Sequence, residues 1–114
     1  MKTTERQSGD ITIVDVQGRI VFGEGEEEFR EAVTGAIESG RTKLVINMAE
    51  VPYVDSAGIS QLVRTFVTTS RRGGQMKLLN LTRRVHDLLT ITRLLTVIEA
   101  FDSEEEAVAS FGKA

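Results

Sequence analysis

Leu44-Val45-Ile46-Asn47-Met48-Ala49-Glu50-Val51-Pro52-Tyr53-Val54-Asp55-Ser56-Ala57-Gly58-Ile59-Ser60-Gln61-Leu62-Val63-Arg64-Thr65-Phe66-Val67 is the stretch that decides the fold. Its short apolar opening, Leu44-Val45-Ile46, reads as a buried strand. A connection containing the chain's only proline, Pro52, follows. Ile59, Leu62, Val63, Phe66 and Val67 then recur at the i, i+3, i+4, i+7, i+8 spacing of one helix face. That pattern predicts a strand and loop feeding a helix, with Ser56 at its N-cap. A hydroxyl there has a backbone fixed by the helix start and a side chain near the surface. Two roles stay open for it: a plain cap, or a cap that also carries chemistry.

Before this stretch, Ser8-Gly9-Asp10 has turn chemistry and separates two strand-like segments, a polar one at 3–8 and a β-branched one beginning Ile11-Thr12-Ile13-Val14-Asp15-Val16. The first reads as an edge strand. In the second, Ile11 and Ile13 are out of phase with Val14 and Val16, which predicts either two covered faces or a bulge. Gly18-Arg19-Ile20 ends this unit, and Gly23-Glu24-Gly25 breaks the pattern. Glu26-Glu27-Glu28 then opens a helix whose acids face the positive end of its dipole. Phe29, Ala32, Val33, Ala36 and Ile37 form its inner stripe, and Gly40 its C′ residue.

Beyond the stretch, Arg71-Arg72 and Gly73-Gly74 end the second helix, and Met76-Lys77-Leu78-Leu79 reads as a strand. Thr82 caps a third helix with Val85, Leu88 and Leu89 inward, joined in outline by Leu95. Thr96-Val97-Ile98 is a short strand candidate. Asp102 or Ser103 opens a last helix with Ala107, Val108 and Phe111 inward, and Ser103-Glu104-Glu105-Glu106 has the form of a capping box. The order β-β-α-β-α-β-α-β-α predicts an α/β domain with a mixed, largely parallel central sheet packed by helices. One domain over residues 1–114 accounts for the whole length.

Composition narrows the function. The chain has no cysteine, hence no disulfide framework and no thiolate nucleophile. Its net charge of −3 argues against a dedicated nucleic-acid binder. Met1-Lys2-Thr3-Thr4-Glu5-Arg6 lacks the apolar core of a signal peptide, and no apolar run approaches the roughly 20 residues of a membrane-spanning helix. A cytoplasmic domain without membrane insertion is the expectation.

The catalytic readings are weak. The only histidine, His86, lies one residue off the apolar stripe of its helix, at a solvated position. Asp55 beside Ser56 makes no triad, and only Gly58 satisfies the glycine spacing of a nucleophile elbow. Gly23-Glu24-Gly25 is followed by three more acids, which would repel a polyphosphate. The acidic run on a helix does not supply the loop-borne oxygens of a calcium site. No enzyme, cofactor or metal is therefore expected. Arg71-Arg72 and Arg83-Arg84 flank the fourth strand and read as helix-terminal charges, with a patch for an acidic partner or a phosphate on one side of the molecule as the other reading.

Asp55-Ser56-Ala57-Gly58-Ile59, preceded by Leu44-Val45-Ile46-Asn47 and Val51-Pro52-Tyr53-Val54, resembles the signature of the STAS domain family, and within it the stand-alone anti-sigma factor antagonists. Gly18-Arg19-Ile20, Gly73-Gly74 and Glu105-Glu106-Ala107 also fall where that family has them. Asn47 and Val21-Phe22 stand where aspartate is common, and Arg93-Leu94-Leu95 replaces a frequent glycine-leucine pair. The resemblance implies a regulator rather than a catalyst. Ser56 would be phosphorylated by a partner that is both anti-sigma factor and serine kinase. The unphosphorylated form would bind that partner and free a sigma factor, and a phosphatase would reset the cycle. Tyr53, Asp55, Ser56, Ala57, Gly58 and Ile59 would form the partner-binding surface. The alternative within the same family is a scaffold or docking subunit of a signalling assembly or a lipid-transport complex.

Overall fold

Gly9, at φ +64°, closes strand β1 (Lys2–Ser8) onto β2 (Ile11–Gln17) as an antiparallel hairpin in which Ser8 pairs with Ile11. The computed structural model describes residues 1–112. After the hairpin come helix α1 (Glu26–Glu38), strand β3 (Lys43–Glu50), helix α2 (Ser56–Arg71), strand β4 (Gln75–Leu79), helix α3 (Arg83–Ile91), strand β5 (Ala100–Phe101) and helix α4 (Glu104–Ser110). The five strands lie in the order β1-β2-β3-β4-β5, and every pair after the hairpin is parallel. This is the expected element order and the expected mixed, largely parallel sheet, with β1 at one edge.

Both expectations for β2 hold. Val14 and Val16 join Leu44, Ile46, Met48, Met76 and Leu78 in the core under α1, α2 and α3. Ile11 and Ile13 face the other way, with Val45 and Leu79, against Ala107, Val108 and Phe111 around α4. The register with β3 also shifts between Asp15 and Gln17. Lys77 lies buried on this second face. Its Nζ donates to Ser110 Oγ at 2.8 Å, lies 3.3 Å from Glu99, and sits 4.5 Å from the Phe111 ring centroid. A buried ammonium is tolerated because it is paired, hydrogen-bonded and stacked.

The helix ends follow local chemistry. Gly40, at φ +88°, terminates α1 with its amide on Ile37 O and that of Arg41 on Ala36 O, the two bonds of a Schellman motif. Thr82 caps α3 by accepting from the Val85 amide, and Ser103 caps α4 by accepting from that of Glu106.

Three expectations are corrected. The inner face of α2 is not the stripe of Ile59, Leu62, Val63, Phe66 and Val67. It is Gly58, Gln61, Leu62, Thr65 and Thr69, flanked by Ile59 and Phe66, while Val63 and Val67 are 40% and 37% exposed. The threonines can be buried because Thr65 Oγ1 donates to Gln61 O and Thr69 Oγ1 to Thr65 O within the same helix. Thr96-Val97-Ile98 is not a strand. Arg93 turns the chain at φ +62°, Leu94–Thr96 form a 3₁₀ turn, and only then does Ala100-Phe101 pair with Leu78-Leu79. Finally, the two arginine pairs lie at opposite ends of β4, since Arg71-Arg72 precede it and Arg83-Arg84 follow it.

Candidate functional site

Loops leaving the carboxyl ends of β2, β3 and β4 converge at one edge of the sheet, the place where open α/β sheets hold their sites. The loop after β2 is tied to the loop after β3 by three backbone bonds. Ile20 N donates to Tyr53 O, Asp55 N donates to Ile20 O, and Gly18 N donates to Glu50 O. The loop after β4 joins them through Thr82 Oγ1, which donates to Val51 O at 3.3 Å, and the first turn of α3 through the Arg84 guanidinium, 4.4 Å from the Tyr53 ring centroid.

Asp55, not Ser56, is the N-cap of α2. Its carbonyl accepts the first helical bond, from Ile59 N, and its Oδ1 accepts from Gly58 N at 2.9 Å. Its Oδ2 accepts from Phe22 N at 3.0 Å, so one carboxylate caps the helix and fastens the neighbouring loop. A serine hydroxyl in the same place offers no second oxygen for the second task. The Phe22 amide, and after it that of Gly58, hold the Asp55 carboxyl below the ordinary aspartate range. Asp55 is thus firmly ionised.

Ser56 begins the first turn of α2 and is exposed. Among the described residues its hydroxyl has no hydrogen-bond partner. Ala57 is half-buried beside it, and Ile59 packs against the edge of the core. Gly58 is buried, and a Cβ on it would lie 2.0 Å from Ile20 O and 2.6 Å from a methyl of Val54. The absence of a side chain at Gly58 therefore sets how closely the helix start approaches the loop after β2. Tyr53 is half-buried under Arg84. The six residues singled out by sequence are brought together on this edge.

A second polar cluster lies toward the α4 face. Arg6 binds Asp15 through two nitrogens, at 2.6 and 2.9 Å, and also reaches Glu104 at 2.8 Å. Arg6, and after it Asn47, depress the Asp15 pKa. Asn47 donates from Nδ2 to Asp15 Oδ1 at 2.7 Å and accepts from Ala49 N at 3.2 Å. An aspartate at position 47 would set one carboxylate against another, which explains the asparagine.

Nothing at the serine is arranged to activate it from within. His86 is exposed on α3 and lies 3.8 Å from its own neighbour Asp87. Among the described residues there is no group of three or more His, Cys, Asp or Glu able to hold a metal ion, and no helix long and apolar enough to cross a membrane. Ser56 presents a solvent-facing hydroxyl at the start of α2. Sequence reasoning noted Val21-Phe22 and Arg83-Arg84 but did not bring Phe22 or Arg84 to this edge. The signal for Phe22 was the Gly23 beside it, a turn glycine that leaves the preceding aromatic at a loop tip; that for Arg84 was only its nearness to the Thr82 cap.

The STAS domain family model matches residues 2–107. The anti-sigma-B factor antagonist of Bacillus subtilis is 35% identical over 79 residues, which cover 69% of this chain and 72% of that protein. Among solved structures, a Thermotoga maritima protein superposes with a TM-score of 0.90 at 20% identity, covering 97% of this chain and 95% of its own. The Bacillus anti-sigma factor antagonist SpoIIAA is similar in its unphosphorylated form, with a TM-score of 0.70, 17% identity and coverage of 99% and 100%. Its phosphorylated form gives 0.71, 18%, 96% and 99%.

Proposed function

The chain belongs to the STAS domain family of anti-sigma factor antagonists, and we propose that it works as a stand-alone STAS domain switched by phosphorylation at Ser56. In the unphosphorylated state it binds, in the cytoplasm, an anti-sigma factor that is also a serine kinase, and thereby frees a sigma factor. Tyr53, Asp55, Ser56, Ala57 and Ile59 form the contact surface, and the buried Gly58 sets the position of the helix start beneath it. The kinase transfers the γ-phosphoryl group of ATP to Ser56: a bond forms from Oγ to phosphorus, the bond to ADP breaks, and the hydroxyl proton passes to a base of the kinase. A phosphatase hydrolyses the ester and restores the binding form.

One observation carries this reading: Ser56 is exposed on the first turn of α2, free of the capping duty that Asp55 performs. A phosphate there adds about −1.5 to −2 charges and three acceptor oxygens. The helix dipole tolerates that charge, so the fold survives. SpoIIAA, solved with and without phosphate, resembles this chain almost equally in both forms. In an interface shaped for a neutral hydroxyl, by contrast, the phosphate must be desolvated beside the ionised Asp55. Since each ~1.4 kcal/mol is tenfold in affinity, release needs no change of shape.

The test is to incubate the full chain with its cognate serine kinase anti-sigma factor and ATP, and to map the product by mass spectrometry. Phosphate at Ser56, and loss of kinase binding by Ser56→Asp with unchanged melting, are expected. Phosphate elsewhere, or wild-type affinity in Ser56→Asp, overturns the reading.

A further inference from the structure

We infer that Phe22 is the apolar anchor of the Ser56 surface, and that the kinase partner carries an apolar pocket for it beside the mouth of its own active site. This rests on the reading of Ser56 just given and adds a residue outside the family's serine motif.

Phe22 is 79% exposed, although burying a phenylalanine side chain is strongly favourable. It is also rigidly held. Val21 and Glu24 exchange both backbone bonds, Val21 N to Glu24 O at 2.9 Å and Glu24 N to Val21 O at 3.0 Å, which leaves Phe22 and Gly23 as the tip of a two-residue turn. Gly23 supplies the left-handed φ of +73° that such a tip requires. The Arg19–Glu24 ion pair at 2.8 Å spans the base of the turn. Phe22's own amide is fixed to Asp55 Oδ2, one residue from Ser56. The aromatic ring is thus presented to solvent on a preorganised backbone coupled directly to the switch.

Those are the properties of an interface hot spot. A large aromatic has few torsions to freeze, and a fixed backbone removes the cost of ordering the loop on binding. The partner chemistry follows from the neighbours. The Phe22 backbone is bonded to the ionised Asp55, whereas Glu24 is already paired with Arg19, so the complementary surface is an apolar pocket with a basic rim toward Asp55. Ile91 is equally exposed, at 79%, but it is the last residue of α3, about two helical turns along the axis from Arg84 and its contact with Tyr53. Apolar exposure at Ile91 has no comparable tie to the serine.

The experiment measures binding of the same kinase to full-length wild type, Phe22→Ala, Phe22→Leu and Ile91→Ala by titration calorimetry, with melting curves for each. Phe22→Ala is expected to melt like wild type and to bind roughly tenfold or more weakly. Phe22→Leu should recover most of that loss, and Ile91→Ala should bind as wild type. Phosphorylation of Phe22→Ala should need more substrate, with an unchanged maximal rate at Ser56. Wild-type affinity in Phe22→Ala, or an equal loss in Ile91→Ala, overturns the anchor while leaving the Ser56 switch standing. Failure of wild type itself to bind or be phosphorylated overturns both.

Discussion

The amide of Phe22 donates to Oδ2 of Asp55 across 33 residues of chain, at 3.0 Å, while the other oxygen of that carboxylate caps α2 through Gly58. Capping therefore falls to Asp55, and the hydroxyl of the adjacent Ser56 is left without a hydrogen-bond partner among the described residues. The division predicts opposite outcomes for their removal. Ser56→Ala should change stability by no more than about 0.5 kcal/mol, since its hydroxyl holds nothing. Asp55→Ala should lower Tm by several degrees and speed hydrogen exchange at the Phe22 amide. Asp55→Asn should keep only one of the two contacts, because its NH₂ group cannot accept from an amide. Thermal melts and amide exchange check this; an Ser56→Ala variant as unstable as Asp55→Ala would refute the assignment of the cap.

The same carboxylate, together with Asp15, sets an acid limit. Phe22 and Gly58 amides lower the Asp55 pKa, and the Arg6 guanidinium and Asn47 amide lower that of Asp15. A folded-state pKa below the unfolded value of about 3.9 means that the unfolded chain takes up protons first as pH falls. The stabilisation from each group is full above that unfolded value and is lost as pH drops through the lower folded value. Stability should accordingly be flat on this account at neutral pH and decline only below about pH 4. Asp15→Asn should make the acid limb of a Tm-against-pH curve shallower. An unchanged limb would mean that the Arg6 pairing does not lower the Asp15 pKa.

Two helical glycines separate close packing from helix propensity. A Cβ at Gly58 would meet Ile20 O at 2.0 Å, and backbone cannot move aside cheaply there because the loop is pinned by Asp55 and Tyr53. Gly58→Ala should cost about 3 kcal/mol or more. At Gly35, within α1, a Cβ would meet nothing within 4 Å. Gly35→Ala should stabilise by roughly 0.5–1 kcal/mol through propensity alone. Urea denaturation of the pair tests the contrast, and a Gly58→Ala variant as stable as wild type would remove the claim that this glycine sets the approach of α2 to the loop.

What sequence revealed was local. The turn at Ser8-Gly9-Asp10, the Gly40 terminus and the Thr82 and Ser103 caps depend on neighbouring residues, and each was legible. The Asp55 cap was not, because aspartate and serine are equally good caps and what separates them is an amide 33 residues away. The inner face of α2 was obscured because Thr65 and Thr69 look polar in sequence yet return their hydroxyls to the helix. The last strand was misplaced because Thr96-Val97-Ile98 has β propensity, whereas pairing with β4 depends on where Arg93 redirects the chain. Within the site, the serine motif was visible and the aromatic beside it was not.

Arg93 is itself the basis of the last prediction. It sits immediately after Thr92, the C-cap of α3, at φ +62°, a left-handed conformation that costs a non-glycine residue about 1–2 kcal/mol. Its carbonyl accepts from Thr96 N and from Thr96 Oγ1, so the surrounding turn holds it there. Its side chain is exposed and makes no ion pair among the described residues. Arg93→Gly relieves the strain but adds freedom to the unfolded chain, so the net gain should be roughly 0.5–1 kcal/mol, a rise of a few degrees in Tm. Thr92→Gly, at φ −81° in the ordinary helical region, relieves nothing and should destabilise. If both glycine variants lose stability equally by denaturant titration, Arg93 is not strained, and the departure from glycine at this helix end costs the fold nothing.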